Sequence, residues 1–266
     1  MIPFKRQMEK AIKGYLSPLG FKYFPKEYLY IRYYSDDIVQ SIRYADETHS
    51  KPRYYFLRTA IGVGSLSLAQ ILGEVTNGLR GNYIHPTGPA YFLNNKDIDN
   101  PFDDTLYIHS EFIGDRPMEE NIADFDRMFK EDAQLIFDKY ITQKAIFLCP
   151  ITDPFFNQIH SLDNWFYVPL AYFFNSEFIK AFKFIKERLE IVEYLINEFG
   201  LNETNIETLE IYRNYSQNLT KWINDRRIFK VDDEYLPIYV SSSNTTIDNY
   251  NIEIQNYIKK LLSGNR

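Results

Sequence analysis

The sequence predicts an α+β fold, in which an N-terminal antiparallel sheet with flanking helices is followed by an all-helical C-terminal lobe. Runs rich in tyrosine, isoleucine and valine, separated by short turns, recur along the first part of the chain. After residue 114 the apolar residues recur instead at helical spacing. A chain of 266 residues is long enough for two unequal units. We therefore expect a sheet domain at residues 1–114 and a helical lobe at residues 115–266.

The first elements are a helix and a β-hairpin. Apolar residues recur at helical spacing from Phe4 to Leu16, and Pro18 then supplies a stop, which predicts a helix of about four turns. Residues 28–34 and 38–45 are aromatic and β-branched runs on either side of a short Ser-Asp-Asp turn. That arrangement is typical of a β-hairpin.

The rest of the sheet domain is less regular. Residues 53–63 predict a third strand, and apolar spacing from Leu68 to Leu79 predicts a short helix after it. Residues 80–104 form a connection whose length is uncommon in a compact domain. We expect this connection to be a functional loop, or to contain a short strand at residues 90–93. Residues 105–113 return to alternation as a fourth strand.

The C-terminal lobe shows helix starts and stops in order. Asp115 lies ahead of a proline and two glutamates, which is favourable chemistry for a helix start. The clearest helix opens at Asn175 and ends at Gly200, a residue suited to a C-cap. Residues 206–223 supply its partner in an antiparallel αα-hairpin, and residues 252–262 a last helix.

The N-terminal half resembles a known bacterial family. The stretch LSPLGFKYFPKEYLYIRYYSDDIVQSIRY, continuing through YYFLRTAIGVG, is similar to the opening of the domain-of-unknown-function family 4304. The resemblance covers roughly residues 5–140. It implies a small α+β sheet domain with no assigned activity, and therefore no catalytic residue to transfer. This chain differs from the family pattern in the insert at 80–104 and in its helical C-terminal half.

Charge and hydropathy exclude several classes of function. The 30 basic and 36 acidic side chains give a formal net charge of -6, which disfavours nucleic acid and favours a protein partner, a basic one above others. The longest apolar run, Trp165 to Phe174, has ten residues and contains Pro169, so we expect no membrane span. Cys149 is the single cysteine and the N-terminus lacks a secretory pattern, so we expect a cytoplasmic protein.

No catalytic, metal or cofactor motif stands out. The four histidines are isolated, without the spacing that places two ligands on one metal ion. The segment from Gly62 to Ser67 lacks the third glycine of a dinucleotide site and the lysine of a P-loop. Cys149 lies among apolar residues, where a thiol is a weak nucleophile. The sequence thus predicts no catalytic residue, no metal and no cofactor.

One face of the sheet is the candidate binding surface. Alternation along the strands gathers arginines, tyrosines, a histidine and a glutamate on the side away from the apolar residues. The predicted face consists of Arg32, Arg43, Arg58, Tyr30, Tyr34, Tyr54, Tyr107, His109 and Glu111. Three interpretations stay open: a solvated face with cross-strand contacts, a surface for a protein partner, or a face buried under the C-terminal helices. Base stacking on the aromatic residues is a fourth, which the acidic charge disfavours.

The leading functional hypothesis is a non-catalytic cytoplasmic protein that binds another protein. A toxin-neutralising (immunity-like) or regulatory role is its most natural specific form. The alternative is a hydrolase or transferase with a site between the sheet domain and the helical lobe. In that case residues 80–104 would form a lid over His109 and Glu111.

Overall fold

A computed structural model describes seven stretches of the chain: residues 4–25, 29–48, 54–79, 90–91, 108–153, 166–239 and 245–263. Their architecture is α+β, as the sequence predicts. Six strands form one antiparallel sheet in the N-terminal part, and most of the helices follow it. Among the described helices, none is long and apolar enough to cross a bilayer.

The first helix, α1 (Phe4–Leu16), buries Met8, Ile12 and Leu16 on one side. A 3-10 turn follows at Ser17–Leu19, with proline early in it. Gly20 ends the turn at a φ of +89°, which a residue with a side chain adopts only with strain. The predicted helix and its stop are both confirmed.

The six-stranded sheet is built outward from one long hairpin. The strands are β1 (Lys22–Phe24), β2 (Leu29–Tyr33), β3 (Ile38–Thr48), β4 (Tyr54–Ser65), β5 (Ala90–Tyr91) and β6 (Ile108–Ile113). Strand β3 pairs with β4 along its full length, β2 and then β1 extend the sheet on one side, and β5 and β6 both pair with β4 on the other. All pairings are antiparallel.

A helical run from residue 118 to residue 139 covers one face of this sheet. It comprises α3 (Met118–Met128), a π-helical segment (Phe129–Ala133) and α4 (Gln134–Lys139). Phe125 packs against Phe112 of β6 and against Tyr15 of α1, with ring centroids 6.3 Å and 5.5 Å apart. The sequence predicts this helix but not its π-helical interruption.

The remaining helices include the three longest among the described residues. They are α2 (Leu66–Val75), α5 (Gln143–Thr152), α6 (Val168–Phe174), α7 (Phe178–Phe199), α8 (Glu203–Asn224) and α9 (Thr245–Ser263). Gly200 at φ +77° ends α7, and the Asn202 side chain accepts a hydrogen bond from the Asn205 amide to cap α8. The predicted αα-hairpin is therefore present. A two-stranded hairpin, β7 (Phe229–Val231) and β8 (Glu234–Leu236), follows it and was not predicted.

The chain divides into two compact units. One, the sheet unit, comprises Met1–Leu66 and His85–Ile146; the other, the helical unit, comprises Ser67–Ile84 and Phe147–Arg266. This division differs from the predicted boundary between residues 114 and 115. The physical reason is packing: α3 and α4 cover the sheet, while α2 packs with helices that come much later in the chain.

Candidate functional site

Strand register divides the predicted binding face between the two sides of the sheet. Arg32 pairs with Gln40 and Leu29 pairs with Arg43, so even-numbered residues of β2 share a face with even-numbered residues of β3. Arg32 therefore lies on the face that α3 and α4 cover, together with Tyr30. The sequence prediction that one face carries Arg32 and Arg43 is wrong, because alternation within each strand does not fix the register between strands.

By register, the strand positions of Arg43, Arg58, Tyr54, His109 and Glu111 belong to the second face. Arg58 lies opposite His109, and the position of Glu111 lies opposite Phe56. Arg43 pairs with Ala60 in the β3–β4 ladder. The remaining parts of the prediction, namely Tyr107 and the side chains of Arg43, Arg58, Tyr54, His109 and Glu111, lie outside what the structure describes.

The second face is buried at its β2–β3 end. Leu29, Ile31 and Val39 form an apolar cluster there, and each is at least nine-tenths inaccessible to solvent. Ser41, one step further along β3, is also buried. An open, solvated face is therefore excluded at this end of the sheet.

Arg32 has a defined set of contacts. Its Nε and Nη2 donate to Oε1 of Gln40 at 2.9 and 2.5 Å, and its Nη1 donates to the carbonyl oxygen of Leu19 at 3.1 Å. The guanidinium carbon lies 4.6 Å from the ring centroid of Phe21 and 5.5 Å from that of Phe137. Both distances are in the range of cation–π interaction.

These contacts join three elements around one cation. Gln40 is itself buried and donates from Nε2 to the Phe137 carbonyl oxygen at 3.5 Å, near the end of α4. A Cβ on Gly20 would lie 3.4 Å from Cδ of Arg32, so the turn after α1 approaches the arginine stem closely. Burial lowers the pKa of Arg32, and the negative charge of Asp138 opposes that shift. Arg32 therefore fastens the turn, the β2–β3 hairpin and α4 together.

Tyr30 is a core residue. Its side chain is fully buried and stacks on Tyr23 with ring centroids 4.5 Å apart. Burial, followed by the charges of Tyr23 and Glu9, raises the pKa of its hydroxyl. A partner therefore has no access to Tyr30 in the folded chain, which corrects its place in the predicted binding surface.

Two exposed aromatic side chains lie at the turn between β2 and β3. Tyr33 is 62% exposed and Tyr34 is 52% exposed. We call Tyr33 to Ile38 the hairpin tip. Tyr34 belongs to the predicted site, whereas Tyr33 was missed, because alternation assigns it to the side opposite Arg32. Its position directly before the Ser-Asp-Asp turn is the feature that could have identified it.

Hydrogen bonds within and beneath the tip hold its backbone. The amides of Tyr34 and Ser35 donate to the Ile38 carbonyl oxygen at 2.9 and 3.3 Å. The Ser35 hydroxyl oxygen accepts from the amides of Asp37 and Ile38 at 3.3 and 3.0 Å. Asp37 accepts from the Ser65 hydroxyl at the end of β4. These bonds fix the turn that carries the two tyrosines.

The described residues offer no metal site, because no group of three or more histidine, cysteine, aspartate or glutamate side chains comes together among them. Cys149 is buried, in agreement with its apolar sequence neighbourhood. Comparison with protein families, with characterised proteins and with solved structures finds no match to this chain. The resemblance of residues 5–140 to family 4304 stays a prediction, and the functional argument rests on the chain's own geometry.

Proposed function

We propose that the protein binds another protein through the hairpin tip and has no catalytic turnover of its own. The observation that carries this proposal is the exposure of two consecutive tyrosines, Tyr33 and Tyr34, at a turn fixed by hydrogen bonds. Tyrosine is enriched among the residues that dominate binding energy at interfaces, because it offers a large rigid surface with one polar group.

The fixed backbone supports the same proposal. A loop that must order itself on binding loses conformational entropy, and that loss reduces the affinity. The tip avoids much of this loss, because the Ser35 hydroxyl and the Ile38 carbonyl already bind its amides. Arg32, in the strand that leads into the tip, is hydrogen-bonded to Gln40 and to the Leu19 carbonyl oxygen, which restrains the strand. The tyrosines are thus presented on a preorganised support.

Charge favours a basic partner. The chain carries a formal net charge of -6, and Asp36 is exposed in the tip itself. Opposite charge on the partner would speed association and favour correct docking. A toxin-neutralising or regulatory protein of the cytoplasm is the specific form of this function that we propose for an acidic chain without a catalytic motif.

Partner capture followed by affinity measurement tests the proposal. Immobilised wild-type protein captures partners from lysate of the source cells, and the affinity of each purified partner is measured by calorimetry. The double variant Tyr33→Ala/Tyr34→Ala should bind at least about tenfold more weakly, as expected for two interface tyrosines. Tyr194→Ala/Tyr235→Ala is the matched control, because these tyrosines are 61% and 63% exposed in the helical unit.

Two results would contradict the proposal. Equal losses of affinity in the two double variants would show that the tip is not the binding surface. Turnover in a broad activity screen that disappears in His109→Ala would favour the hydrolase or transferase alternative instead.

A further inference from the structure

Three partly buried arginines of this chain each have a carboxylate counterion. In each case a guanidinium nitrogen lies within 2.7 Å of a carboxylate oxygen. The pairs are Arg116 with Asp124, Arg213 with Glu210, and Arg227 with Glu74. In these three places a carboxylate compensates a guanidinium that has lost part of its hydration.

Arg227 shows the complete arrangement. Its guanidinium carbon lies 4.5 Å from the ring centroid of Trp222 and 4.6 Å from that of Phe229. Its Nη2 lies 2.5 Å from a carboxylate oxygen of Glu74. Arg32 stacks on two rings in the same way, but its hydrogen-bond acceptors are both neutral.

No carboxylate among the described residues forms an ion pair with Arg32. Asp138 is close enough to influence its pKa, but the Asp138 carboxylate accepts a hydrogen bond from Gln134 at 2.7 Å and forms no ion pair with Arg32. Of the five guanidinium N–H groups, three have acceptors, Gln40 twice and Leu19 once. The other two have no acceptor among the described residues.

We propose that Arg32 binds a carboxylate side chain of the partner protein, which completes the arrangement seen at Arg227. This inference rests on the proposed function, since Arg32 directly precedes the hairpin tip in β2. A net-basic partner can supply this group, because one acidic side chain is sufficient. A singly charged carboxylate fits better than phosphate, because Asp138 already places negative charge nearby.

Acetate serves as the probe for this site. The full chain, labelled with ¹³C and ¹⁵N in arginine, is titrated with sodium acetate while sodium chloride keeps the ionic strength constant. We expect the Nε and Cζ resonances of Arg32 to shift and saturate, and those of Arg227, whose partner is Glu74, to stay unchanged. Arg32→Gln, or Arg32→Lys if the first variant does not fold, assigns the resonances.

Two further variants exchange the behaviour of the two arginines. Glu74→Gln removes the counterion of Arg227 and should make its resonances respond to acetate. Gln40→Glu places a carboxylate on the acceptor that Nε and Nη2 of Arg32 already contact, and should abolish the response of Arg32. Each variant keeps the shape of the wild-type side chain. Gln40→Glu also loses the Nε2 donor to the Phe137 carbonyl oxygen, so circular dichroism must show that this variant is folded.

Three outcomes would overturn the inference. In the first, the Arg32 resonances do not shift with acetate. In the second, they shift equally in wild type and in Gln40→Glu. In the third, they respond more strongly to inorganic phosphate than to acetate at the same concentration. The proposed function fails separately: if acetate shifts Arg32 and no partner depends on Tyr33 and Tyr34, the carboxylate site stands and docking through the tip does not. If a partner depends on the tyrosines but the Arg32 resonances do not shift with acetate, docking through the tip stands and the carboxylate site does not.

Discussion

At the scale of single residues, the buried side-chain amide of Asn121 holds the turn between β6 and α3. Its Oδ1 accepts from the Ile113 amide at 2.9 Å and from Nε and Nη2 of Arg116. Its Nδ2 donates to the carbonyl oxygens of Ile113, Arg116 and Pro117 at 3.1 to 3.4 Å. The side chain is fully buried in α3. The turn from β6 to α3 therefore depends on this amide.

Replacing Asn121 should be strongly destabilising. Asn121→Ala removes the side-chain acceptor of the partly buried Ile113 amide and a donor to nearby carbonyl oxygens, which we expect to lower the free energy of unfolding by about 3 kcal/mol. Urea denaturation followed by circular dichroism measures the change. Gln134→Ala is the control, since the Gln134 side chain makes an exposed hydrogen bond to Asp138, and it should change the stability by less than about 0.5 kcal/mol. Similar losses in both variants would show that the buried amide has no special role.

Tyr239 gives the fold a dependence on alkaline pH. Its hydroxyl contacts the carbonyl oxygens of Arg227 and Trp222 at 2.8 and 3.1 Å. Burial raises the pKa of Tyr239 to about 12, and the nearby charge of Arg226 opposes that shift. An unfolded tyrosine has a pKa of about 10. Between these values the native state holds the proton more tightly, so stability falls as the pH rises.

We predict that the free energy of unfolding depends differently on pH in wild type and in Tyr239→Phe. Plotted against pH, the free energy of unfolding should fall less steeply in the variant between about pH 10 and pH 12. Below pH 10 the two curves should run parallel, with the variant lower by about 1 kcal/mol for its lost hydrogen bond. Urea titrations at closely spaced pH values measure both. Identical slopes in the alkaline range would contradict the assigned role of Tyr239.

Tyr30 and Tyr33 show which part of the site the sequence can predict. The β2 run has tyrosines at an even and an odd position, so alternation predicts that they divide between two faces. It does not predict that both faces are buried at this end, nor how the strand is aligned with β3. Tyr30 is consequently a core residue and Tyr33 an exposed one, although both are tyrosines of a single strand. Which tyrosine is buried depends on contacts with residues that are distant in the sequence.

At the scale of elements, the β3–β4 hairpin has a close approach that only glycine allows. Gly62 and Ser41 are cross-strand partners, and both are buried. A Cβ on Gly62 would lie 2.6 Å from Oγ of Ser41, which is shorter than a van der Waals contact. The same Cβ would lie 4.0 Å from Cβ of Ser41. The Ser41 hydroxyl is therefore the atom that excludes a side chain at position 62.

A double-mutant cycle tests that conclusion. Gly62→Ala should destabilise the fold by about 1 to 3 kcal/mol through overpacking. Gly62→Ala/Ser41→Ala should recover most of that loss, because the second change removes the clashing oxygen. Ser41→Ala alone removes one hydrogen bond, to the Gly62 carbonyl, and is the reference. Additive losses in the double variant would show that the hydroxyl is not the obstacle.

The elements that the sequence predicts correctly are those with a clear apolar pattern and clear end signals within their own residues. The helices α1, α7 and α8 have apolar stripes and recognisable ends, such as Gly20 and Gly200. Those it misses depend on tertiary packing. Strands β7 and β8 are three residues each, too short for alternation to be recognised, and Phe229 there packs on Trp222 with centroids 5.3 Å apart. The packing around these strands is visible only in the folded chain.

At the scale of the whole molecule, α2 belongs to the helical unit although it directly follows β4 in sequence. Its C-terminal end is held by asparagines of α8. Asn218 donates to the Val75 carbonyl oxygen at 2.9 Å, and Asn214 donates to that of Thr76 at 3.2 Å. These contacts join positions 143 and 138 residues apart. A boundary drawn from local periodicity does not detect them, which is why the compact units differ from the predicted split.

Hydrogen exchange tests this assignment of α2. Each asparagine satisfies carbonyl groups that the end of a helix leaves without partners, so Asn214→Ala/Asn218→Ala should destabilise the α2 end by about 2 kcal/mol. Amide exchange from Leu72 to Gly78 should then become roughly thirtyfold faster, provided that this end opens locally. Asn224→Ala is the control, because Asn224 of α8 contacts Asp248 of α9 instead. Unchanged exchange at the α2 end, or equal acceleration in the control, would show that α2 does not depend on α8.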